Sequence, residues 1–405
     1  MKHPSRRSPL PKELERGAQA VSAARKHFRK LRDPRLRKGR RHGLVDTLLI
    51  ALLAMLCDCD DADEIADWAA LHEPWLGEWF ELKHGTPSQD TLLRLFAALN
   101  PQTFTQALMS WLSSLRPLAA KHIAIDGKTL RGSLSAAKGC KAIHIVNAWL
   151  REAGLVLGQV KTNEKSNEIT AIPELLALLD IDGCTVSMDA AGCHRAIAAQ
   201  IIEKKGDYLL AVKENQPTLH RDLQRLFAEA ENQRRRSRDE LARPDVATAR
   251  HTDGGHGRIE ERVVSVCHQL DWLTTAQQWK GLRGAVLIES TTTNQVTGRV
   301  TSERRYYITS DATLSPERAM ELTRGHWTVE SSLHWVLDVV FGEDRSRVRM
   351  RRAAENFGAL RRLALSLLTA APPPKKGMSI KRRRHYCAHS PDYLQNVLAQ
   401  ARQQH

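Results

Sequence analysis

Apolar side chains between residues 44 and 118 recur every three to four positions, which is the spacing of amphipathic helices. Short polar or Pro-containing breaks divide them into successive series. Thr86-Pro-Ser88 before one series and Asn100-Pro101 after it are typical of a helix start and a helix stop. The pattern therefore predicts a small all-α domain over residues 43–118, with its tryptophans in the core.

From residue 121 the pattern changes to short apolar runs that are typical of β-strands. Two helical series interrupt these runs, and Pro173 marks the first turn of one of them. The order is three strands, helix, strand, helix, strand, so the later strands must cross over to pair. We expect an α/β fold with a mixed five-stranded sheet and flanking helices. The five runs lie at 123–125, 142–149, 155–160, 186–188 and 208–212.

Residues 214–310 interrupt the α/β pattern with a polar helix and further strand-like runs, which we interpret as a β-rich insertion. A last helix follows it and continues to Phe341, with an interruption at Gly325. The α/β domain should cover residues 119–370, and residues 371–405 should form a basic C-terminal tail. The strand-like runs of the insertion lie at 263–266, 285–289 and 306–309.

Charge is distributed unevenly along the 405 residues, whose formal net charge is +15. Residues 1–42 carry 15 Lys/Arg against 3 Asp/Glu, residues 43–120 carry 3 against 11, and residues 342–405 carry 14 against 4. Two basic ends suit a polyanionic partner such as nucleic acid, and the alternative is a pair of solvated tails. We expect residues 1–42 to form a mobile basic arm whose side chains, including Arg40 and Arg41, contact phosphate.

Cysteine usage and hydropathy favour a soluble, cytoplasmic protein with no membrane partner. The seven cysteines are an odd number without CxxC spacing, which indicates free thiols in a reducing compartment. The longest apolar run, Leu44 to Cys57, is too short to span a bilayer. No signal-peptide core follows the charged N-terminus.

Three acidic residues lie at positions that suit a catalytic, metal-binding site. Asp126 and Asp189 each follow an apolar run and precede small residues, and Glu330 lies on the predicted last helix. A buried, unpaired carboxylate is costly, so each should be paired or bind a cation. Two Asp at strand ends and a Glu on a later helix form the acidic triad of the RNase H-like fold. Such a triad can hold two divalent ions for in-line phosphoryl transfer, and oxygen ligands favour Mg²⁺, with Mn²⁺ as a substitute.

The last helix also carries two histidines at helical spacing from the acidic residue. His326, Glu330 and His334 are four residues apart and share one helix face. A zinc site is the alternative that this spacing leaves open. We expect instead that His326 contacts DNA or tunes Glu330, and that His334 lies beside the triad and supports it.

Five stretches carry motifs of high specificity: Ala124-Ile-Asp-Gly-Lys-Thr-Leu-Arg-Gly-Ser133, Glu164-Lys-Ser-Asn-Glu-Ile-Thr-Ala-Ile-Pro-Glu-Leu-Leu176, Gly206-Asp-Tyr-Leu-Leu-Ala-Val-Lys-Glu-Asn-Gln-Pro217, His256-Gly-Arg258 and Arg324-Gly-His-Trp-Thr-Val-Glu330. Together they closely resemble the H-repeat-associated, ISAs-type group of bacterial insertion-sequence transposases. Asp33-Pro-Arg and Thr86-Pro-Ser-Gln-Asp-Thr91 resemble the helical domain that accompanies the catalytic domain of this group. The resemblance covers nearly the whole chain.

The resemblance implies a DDE transposase with an RNase H-like core, Mg²⁺ dependence, and Asp126, Asp189 and Glu330 as catalytic and metal-binding residues. Related enzymes stack a flipped base on a Trp of the insertion, and Trp272 or Trp279 could do so here if it is not in the core. We expect DNA contacts from the basic arm and from residues of the matching motifs: Lys128, Arg131, Lys213, His256, Arg258, Arg324, His326, Arg40 and Arg41.

The predicted function is a DNA transposase that binds the ends of an insertion sequence and catalyses metal-dependent cleavage and strand transfer. Its partners would be double-stranded DNA of the element ends and of the target, and the DNA complex allows a homodimer. Bound to DNA, the protein would be associated with the nucleoid. Two alternatives stay open: an RNase H-like nuclease without strand transfer, and a transposase-derived DNA-binding protein without chemistry.

Overall fold

The structure is a computed structural model that describes residues 12–113, 122–130, 143–162, 168–236, 246–255, 257–270, 273–350 and 352–399. Three residues named above, Arg131, His256 and Trp272, lie outside these ranges. The described helices are α1 (Lys12–Phe28), α2 (Leu44–Leu56), α3 (Ala62–Leu71), α4 (Glu73–Leu76), α5 (Gln89–Ala98), α6 (Pro101–Ser113), α7 (Glu168–Leu178), α8 (Arg195–Glu203), α9 (Pro217–Arg236), α10 (Pro316–Val329), α11 (Ala353–Ala370), α12 (Ile380–His389) and α13 (Pro391–Ala399). The described strands are β1 (His122–Leu130), β2 (Ile143–Leu150), β3 (Leu155–Lys161), β4 (Thr185–Met188), β5 (Asp207–Val212), β6 (Val246–Gly255), β7 (Arg258–Cys267), β8 (Gly284–Asn294) and β9 (Val300–Thr309).

The N-terminal helices start where the sequence places polar caps. Ser88 accepts a hydrogen bond from the backbone N–H of Thr91 at the start of α5, and Asp61 and Glu64 form a capping box at α3. Their apolar faces form one core with α11, α12 and α13. In the part of the chain that the structure describes, no helix is long and apolar enough to cross a membrane.

The described parts of the two basic ends contain helices, so the prediction of a mobile arm is wrong for Lys12–Phe28. Helix α1 buries Ala20, Val21, Ala24 and Phe28 in the core and packs against α13. These four positions form an apolar stripe at helical spacing, which the surrounding Lys and Arg residues obscure in a charge count. The predicted C-terminal tail likewise contains α12 and α13.

A single sheet of nine strands, in the order β3-β2-β1-β4-β5-β9-β8-β7-β6, replaces the expected sheet of five. Strand β1 is parallel to β4 and β4 to β5, whereas β2 is antiparallel to both β1 and β3. The strands of the insertion extend this sheet because β9 pairs antiparallel with β5. Strand β6 was not predicted, since its mostly exposed residues lack the apolar alternation of a half-buried strand.

Helix α10 packs on β1 and β4 and brings the motif Arg324–Glu330 to the sheet. It runs through Gly325 without the interruption that the sequence predicted. A Cβ at this position would lie only 2.8 Å from His122 Nδ1, so glycine allows a close approach of helix and strand. The helix then continues as two π-helical segments, Glu330–His334 and Val336–Val340.

Candidate active site

Asp126 lies within β1, opposite Asn147 of β2, and the strand continues through Gly127 to Leu130. Burial, together with the nearby carboxylate of Asp189, raises the pKa of Asp126 to about 7. The backbone N–H of Gly127 opposes this shift by donating a hydrogen bond. The site therefore holds a carboxyl group that is partly protonated at neutral pH.

Asp189 directly follows β4, the parallel neighbour of β1. Its Oδ1 accepts hydrogen bonds from the backbone N–H groups of Ala191 at 3.0 Å and Gly192 at 3.4 Å, which fix the side chain in a tight turn. Burial and the charge of Glu168 raise the pKa of Asp189, while the nearby charge of Lys213 lowers it. Ile125 of β1 pairs with Met188 of β4, so Asp126, inside β1, and Asp189, just after β4, both follow paired residues and lie next to each other. The prediction that Asp126 stands at the end of its strand is wrong, because β1 continues to Leu130.

Glu330 is exposed at the first residue of the π-helical segment, and its charge contributes to the raised pKa of Asp126. π-helical turns often occur at functional sites. Within the described ranges, however, no group of three His, Cys, Asp or Glu side chains is arranged to hold a metal ion. Glu330 is therefore near the aspartates, but the three carboxylates do not form a three-ligand group in this structure.

The aspartate pair suits a divalent cation in charge and in donor chemistry. Among the described residues, neither Asp126 nor Asp189 forms a salt bridge with Lys or Arg, and repulsion from neighbouring carboxylates raises the pKa of both. Carboxylate oxygens are the hard ligands that Mg²⁺ prefers. A bound cation would remove this repulsion, so the residues present fit the metal that the resemblance implies.

His334 lies beside the pair, with its Nδ1 3.6 Å from Asp126 Oδ2. Burial lowers the pKa of His334 to about 3, so the ring is neutral at physiological pH and the contact is not an ion pair. His326 has a different partner from His334: its Nδ1 lies 3.0 Å from Ser187 Oγ. The zinc alternative is not formed by the described side chains.

A fourth carboxylate, that of Glu168, was missed by sequence reasoning. Glu168 begins α7, and its Oε1 lies 2.7 Å from His144 Nε2. A Cβ on Gly127 would lie only 2.1 Å from that oxygen, so glycine next to Asp126 makes room for it. The available signal was its place in the motif Glu164–Leu176. The prediction that this helix begins at Pro173 left Glu168 outside it. In the structure, α7 includes Glu168 and carries Pro173 in its interior.

Lys128 was predicted to contact DNA, and the structure corrects this. Its side chain is 5% exposed, and its ammonium contacts the carboxylate of Asp338 and lies 3.7 Å from Glu343 Oε2. Glu343 also pairs with Arg362 at 2.7 Å, and Arg362 donates to Asn147 Oδ1 at 2.6 Å. Reaching a phosphate would leave buried carboxylates unpaired, which is costly.

The other predicted DNA contacts are divided between exposed and engaged side chains. Arg324 is exposed but pairs with Asp253 at 2.8 Å, and His326 is partly buried against Ser187. Lys213 and His326 line a cavity of ≈ 550 Å³ that reaches Asp189. Arg40 is exposed but donates hydrogen bonds to the backbone oxygens of Arg35 and Asp33 and lies 3.5 Å from Asp33 Oδ2. The remaining described members of the set are exposed: Lys213, Arg258 and Arg41.

Trp327, for which the sequence favoured a core position, lines this cavity together with Tyr306 and Tyr307. It is 47% exposed, with the Arg305 guanidinium 4.6 Å from the ring centroid, and it also lines a second cavity of ≈ 980 Å³. Trp279, a candidate for base stacking, is 2% exposed within the core and cannot stack on DNA there. Trp272 lies outside the described residues.

Comparison with known proteins identifies the family of the chain. Residues 117–367 match the family described as Transposase DDE domain, and residues 25–112 match the family described as DDE_Tnp_1-associated. The chain belongs to the DDE transposase family. The first match contains β1 to β9, α10 and most of α11, so it includes all four carboxylates of the candidate site.

Two bacterial relatives align with this transposase over most of both chains. One is the H repeat-associated protein YhhI of Escherichia coli K12, provisionally named a transposase, at 36% identity over 88% of this chain and 93% of the relative. The other is YncI of Escherichia coli O157:H7, also provisionally named a transposase, at 36% identity over 89% and 90%. A cryo-EM structure of the piggyBac transposase synaptic complex with hairpin DNA aligns at 12% identity over 95% of this chain and 79% of that one. Its TM-score of 0.34 is too low to support an argument.

Proposed function

We propose that this transposase cuts insertion-sequence ends and joins them to target DNA through metal-dependent phosphoryl transfer at Asp126, Asp189 and Glu330. The observation that carries the proposal is the aspartate pair on adjacent parallel strands, where Asp189 and burial raise the pKa of Asp126 to about 7. Unbalanced carboxylates reduce stability, and proteins retain such repulsion chiefly where it serves a site.

The strand order supports an RNase H-like core. Strands β1 to β5 lie in the order β3-β2-β1-β4-β5, with β2 antiparallel to its neighbours β3 and β1, and with β1, β4 and β5 parallel. In this interpretation the four strands β6 to β9 are an addition at the β5 edge. Asp126 and Asp189 then occupy the central strands, where the topology changes direction and sites commonly form.

Asp126 and Asp189 would hold Mg²⁺ or Mn²⁺, with Glu330 contributing from the π-helical segment. A bound divalent ion would supply charge stabilisation at the scissile phosphate and a more acidic attacking oxygen. The protein orients the ligands itself: the backbone N–H groups of Ala191 and Gly192 fix Asp189, and the neutral ring of His334 lies against Asp126. Lys213, exposed beside Asp189, is placed to neutralise a phosphate group.

Double-stranded DNA is the partner in this proposal, with Lys213, Arg258, Arg40 and Arg41 as the exposed cationic contacts. Arg324 would join them after releasing Asp253. A homodimer in the DNA complex would allow two element ends to be processed together, and DNA binding would place the protein at the nucleoid.

The test uses a supercoiled plasmid that carries the gene for this chain with its flanking genomic DNA. Cleavage and joined products should appear with Mg²⁺ or Mn²⁺ and should be absent with excess chelator. Asp90→Asn is the matched control for Asp126→Asn, because Asp90 is an exposed carboxylate that pairs with Arg94 on the same helix. Cleavage without joining would indicate a nuclease, binding without cleavage a DNA-binding protein, and full activity after chelation would refute the metal requirement.

A further inference from the structure

A chain of hydrogen bonds links the three elements that carry the proposed triad. His122 Nε2 lies 2.6 Å from Ser187 Oγ, and Ser187 Oγ lies 3.0 Å from His326 Nδ1. These residues belong to β1, β4 and α10, respectively. His122 and Ser187 are 0% and 2% exposed. Strands and helix are therefore joined by polar contacts inside the protein, where an unmade hydrogen bond is costly.

On β1 and β4 the hydrogen-bonded side chains, those of His122 and Ser187, lie on the same face of the sheet as the two aspartates. His122 precedes Asp126 by four residues and Ser187 precedes Asp189 by two, and side chains an even number apart on a strand point to the same side. The strands are paired in parallel, with Ser187 opposite Ala124. Any shift of β1 against β4 would alter both the hydrogen bond and the relation between the aspartates.

On the helix His326 precedes Glu330 by four residues, which places both on one face. Gly325, immediately before His326, allows the close contact with β1, because a Cβ there would lie 2.5 Å from Arg151 Cδ and 2.8 Å from His122 Nδ1. A glycine inside a helix is less stable than alanine by about 1 kcal/mol. Gly325 therefore destabilises the helix slightly, but it allows α10 to lie close to β1.

The positions of the protons follow from which atoms lack partners. Burial lowers the pKa of His122 to about 3 and of His326 to about 4, so both rings are neutral. His122 Nδ1 is buried and has no partner among the described residues, and an unpaired acceptor is more readily tolerated than an unpaired N–H. His122 therefore donates from Nε2 to Ser187, Ser187 donates to His326 Nδ1, and His326 carries its own proton on Nε2.

We propose that the His122–Ser187–His326 chain sets the position of α10, and with it Glu330, against β1 and β4. The catalytic part of this inference rests on the proposed function, in which Glu330 contributes to the site. His326 is then a positioning residue and not a DNA contact. This role explains why a histidine of the motif Arg324–Glu330 turns toward the sheet.

The first test removes the central hydroxyl and leaves both rings. Ser187→Ala should lower kcat for cleavage of the plasmid about 10- to 100-fold, as expected for groups that orient a ligand, while KM and the Kd for duplex DNA stay within about twofold. Ser187→Thr keeps a hydroxyl and should retain more activity. His326→Asn keeps an acceptor near the position of Nδ1 and should exceed His326→Ala in kcat.

Ser366→Ala is the matched control for this loss. Ser366 is 0% exposed on α11, and its Oγ accepts a hydrogen bond from the backbone N–H of Val156 at 3.0 Å. We expect a similar decrease in Tm from both Ser→Ala variants and a decrease in kcat only from Ser187→Ala. A folded Ser187→Ala with kcat within about threefold of wild type would overturn the proposal. If that variant does not fold, equal kcat for His326→Asn and His326→Ala overturns it instead.

A second measurement does not depend on activity. Nitrogen-15 NMR of protein labelled at histidine should show His326, assigned by the signal lost in His326→Asn, with its proton on Nε2. Ser187→Ala should remove this preference, whereas Ser366→Ala should not. A proton on Nδ1 of His326 in the wild type would overturn the chain of hydrogen bonds. If the wild type cleaves no DNA, the proposed function fails, and the NMR result alone supports or overturns the linkage.

Discussion

Two clusters of charged side chains share strand β1 and differ in how their charges are balanced. In the carboxylate cluster, Asp126 faces Asp189 and Glu168, and burial with repulsion raises its pKa to about 7. In the ion-paired cluster, formed by Lys128, Asp338, Glu343 and Arg362, each buried carboxylate contacts a cation. Burial opposes ionisation of Glu343, but Arg362 and other cations outweigh it and hold its pKa below the usual range.

The comparison distinguishes charged side chains that serve a functional site from charged side chains that stabilise the fold. Asp126 and Lys128 are two residues apart and so share a face of β1, yet among the described side chains only the lysine has a partner of opposite charge. Removing a charge from the carboxylate cluster should therefore relieve repulsion, whereas removing one from the ion-paired cluster should leave a buried ion unpaired. If variants of the two clusters change the stability in opposite directions, this difference between the clusters is established.

Loss of activity should be the largest effect. Asp126→Asn should reduce plasmid cleavage at least about a thousandfold, as removal of a catalytic residue commonly does, with DNA binding largely retained. The same variant should unfold at a higher temperature than the wild type at pH 8, since the repulsion is gone. Mg²⁺ should raise the Tm of the wild type but not of the variant. Near-normal cleavage by Asp126→Asn would remove the residue from the mechanism.

A stability loss should follow from the other cluster. Glu343→Gln should decrease the free energy of unfolding by about 3–5 kcal/mol, because Arg362 and Lys128 lose a buried partner. Glu321→Gln is the control, since Glu321 forms an exposed pair with Arg318 that should contribute less than about 1 kcal/mol. Urea unfolding measures both. Equal losses in the two variants would show that burial adds nothing to the ion pair.

The pH dependence of stability should reveal the raised pKa of Asp126. Its folded pKa of about 7 exceeds the usual value of 3.8, so the folded state binds the proton more tightly and stability falls as pH rises between these values. The free energy of unfolding of Asp126→Asn, relative to wild type, should increase by about 2–4 kcal/mol from pH 4 to pH 8. If the difference in free energy of unfolding between the variant and the wild type does not change with pH, the pKa of Asp126 is not raised in the folded protein.

The smallest effect concerns DNA affinity. Lys213→Met should reduce the slope of log affinity against log salt by about 0.9 on duplex DNA, because one phosphate contact is lost. Lys128→Met should leave the slope unchanged, although it should destabilise the fold, since its ammonium is committed to Asp338 and Glu343. Filter binding from low to high salt distinguishes the two. A reduced slope for Lys128→Met would restore it as a DNA contact.

Local pattern was sufficient to predict the helices that follow Gly43, the strands that lead to Asp126 and Asp189, and the family. Each of these rests on short-range features: apolar spacing, helix caps, and motifs of ten or so consecutive residues. The prediction failed where a residue's role depends on distant partners. Lys128 appeared to be a free cation, and Glu168 an ordinary motif residue, because Asp338 and Gly127 meet them only in the folded sheet.

The sequence by itself determined the order of the elements from α2 to β5, three of the four carboxylates of the candidate site and the membership in the DDE transposase family. Only the tertiary structure decided that the insertion extends the main sheet, that the described parts of both basic ends contain packed helices, and which charged side chains are paired. The physical reason is that periodicity records which face of an element is buried, whereas charge balance depends on what another element places against that face. Hydrogen bonds such as His122–Ser187–His326, formed between residues 65 and 139 positions apart, leave no periodic trace in the sequence.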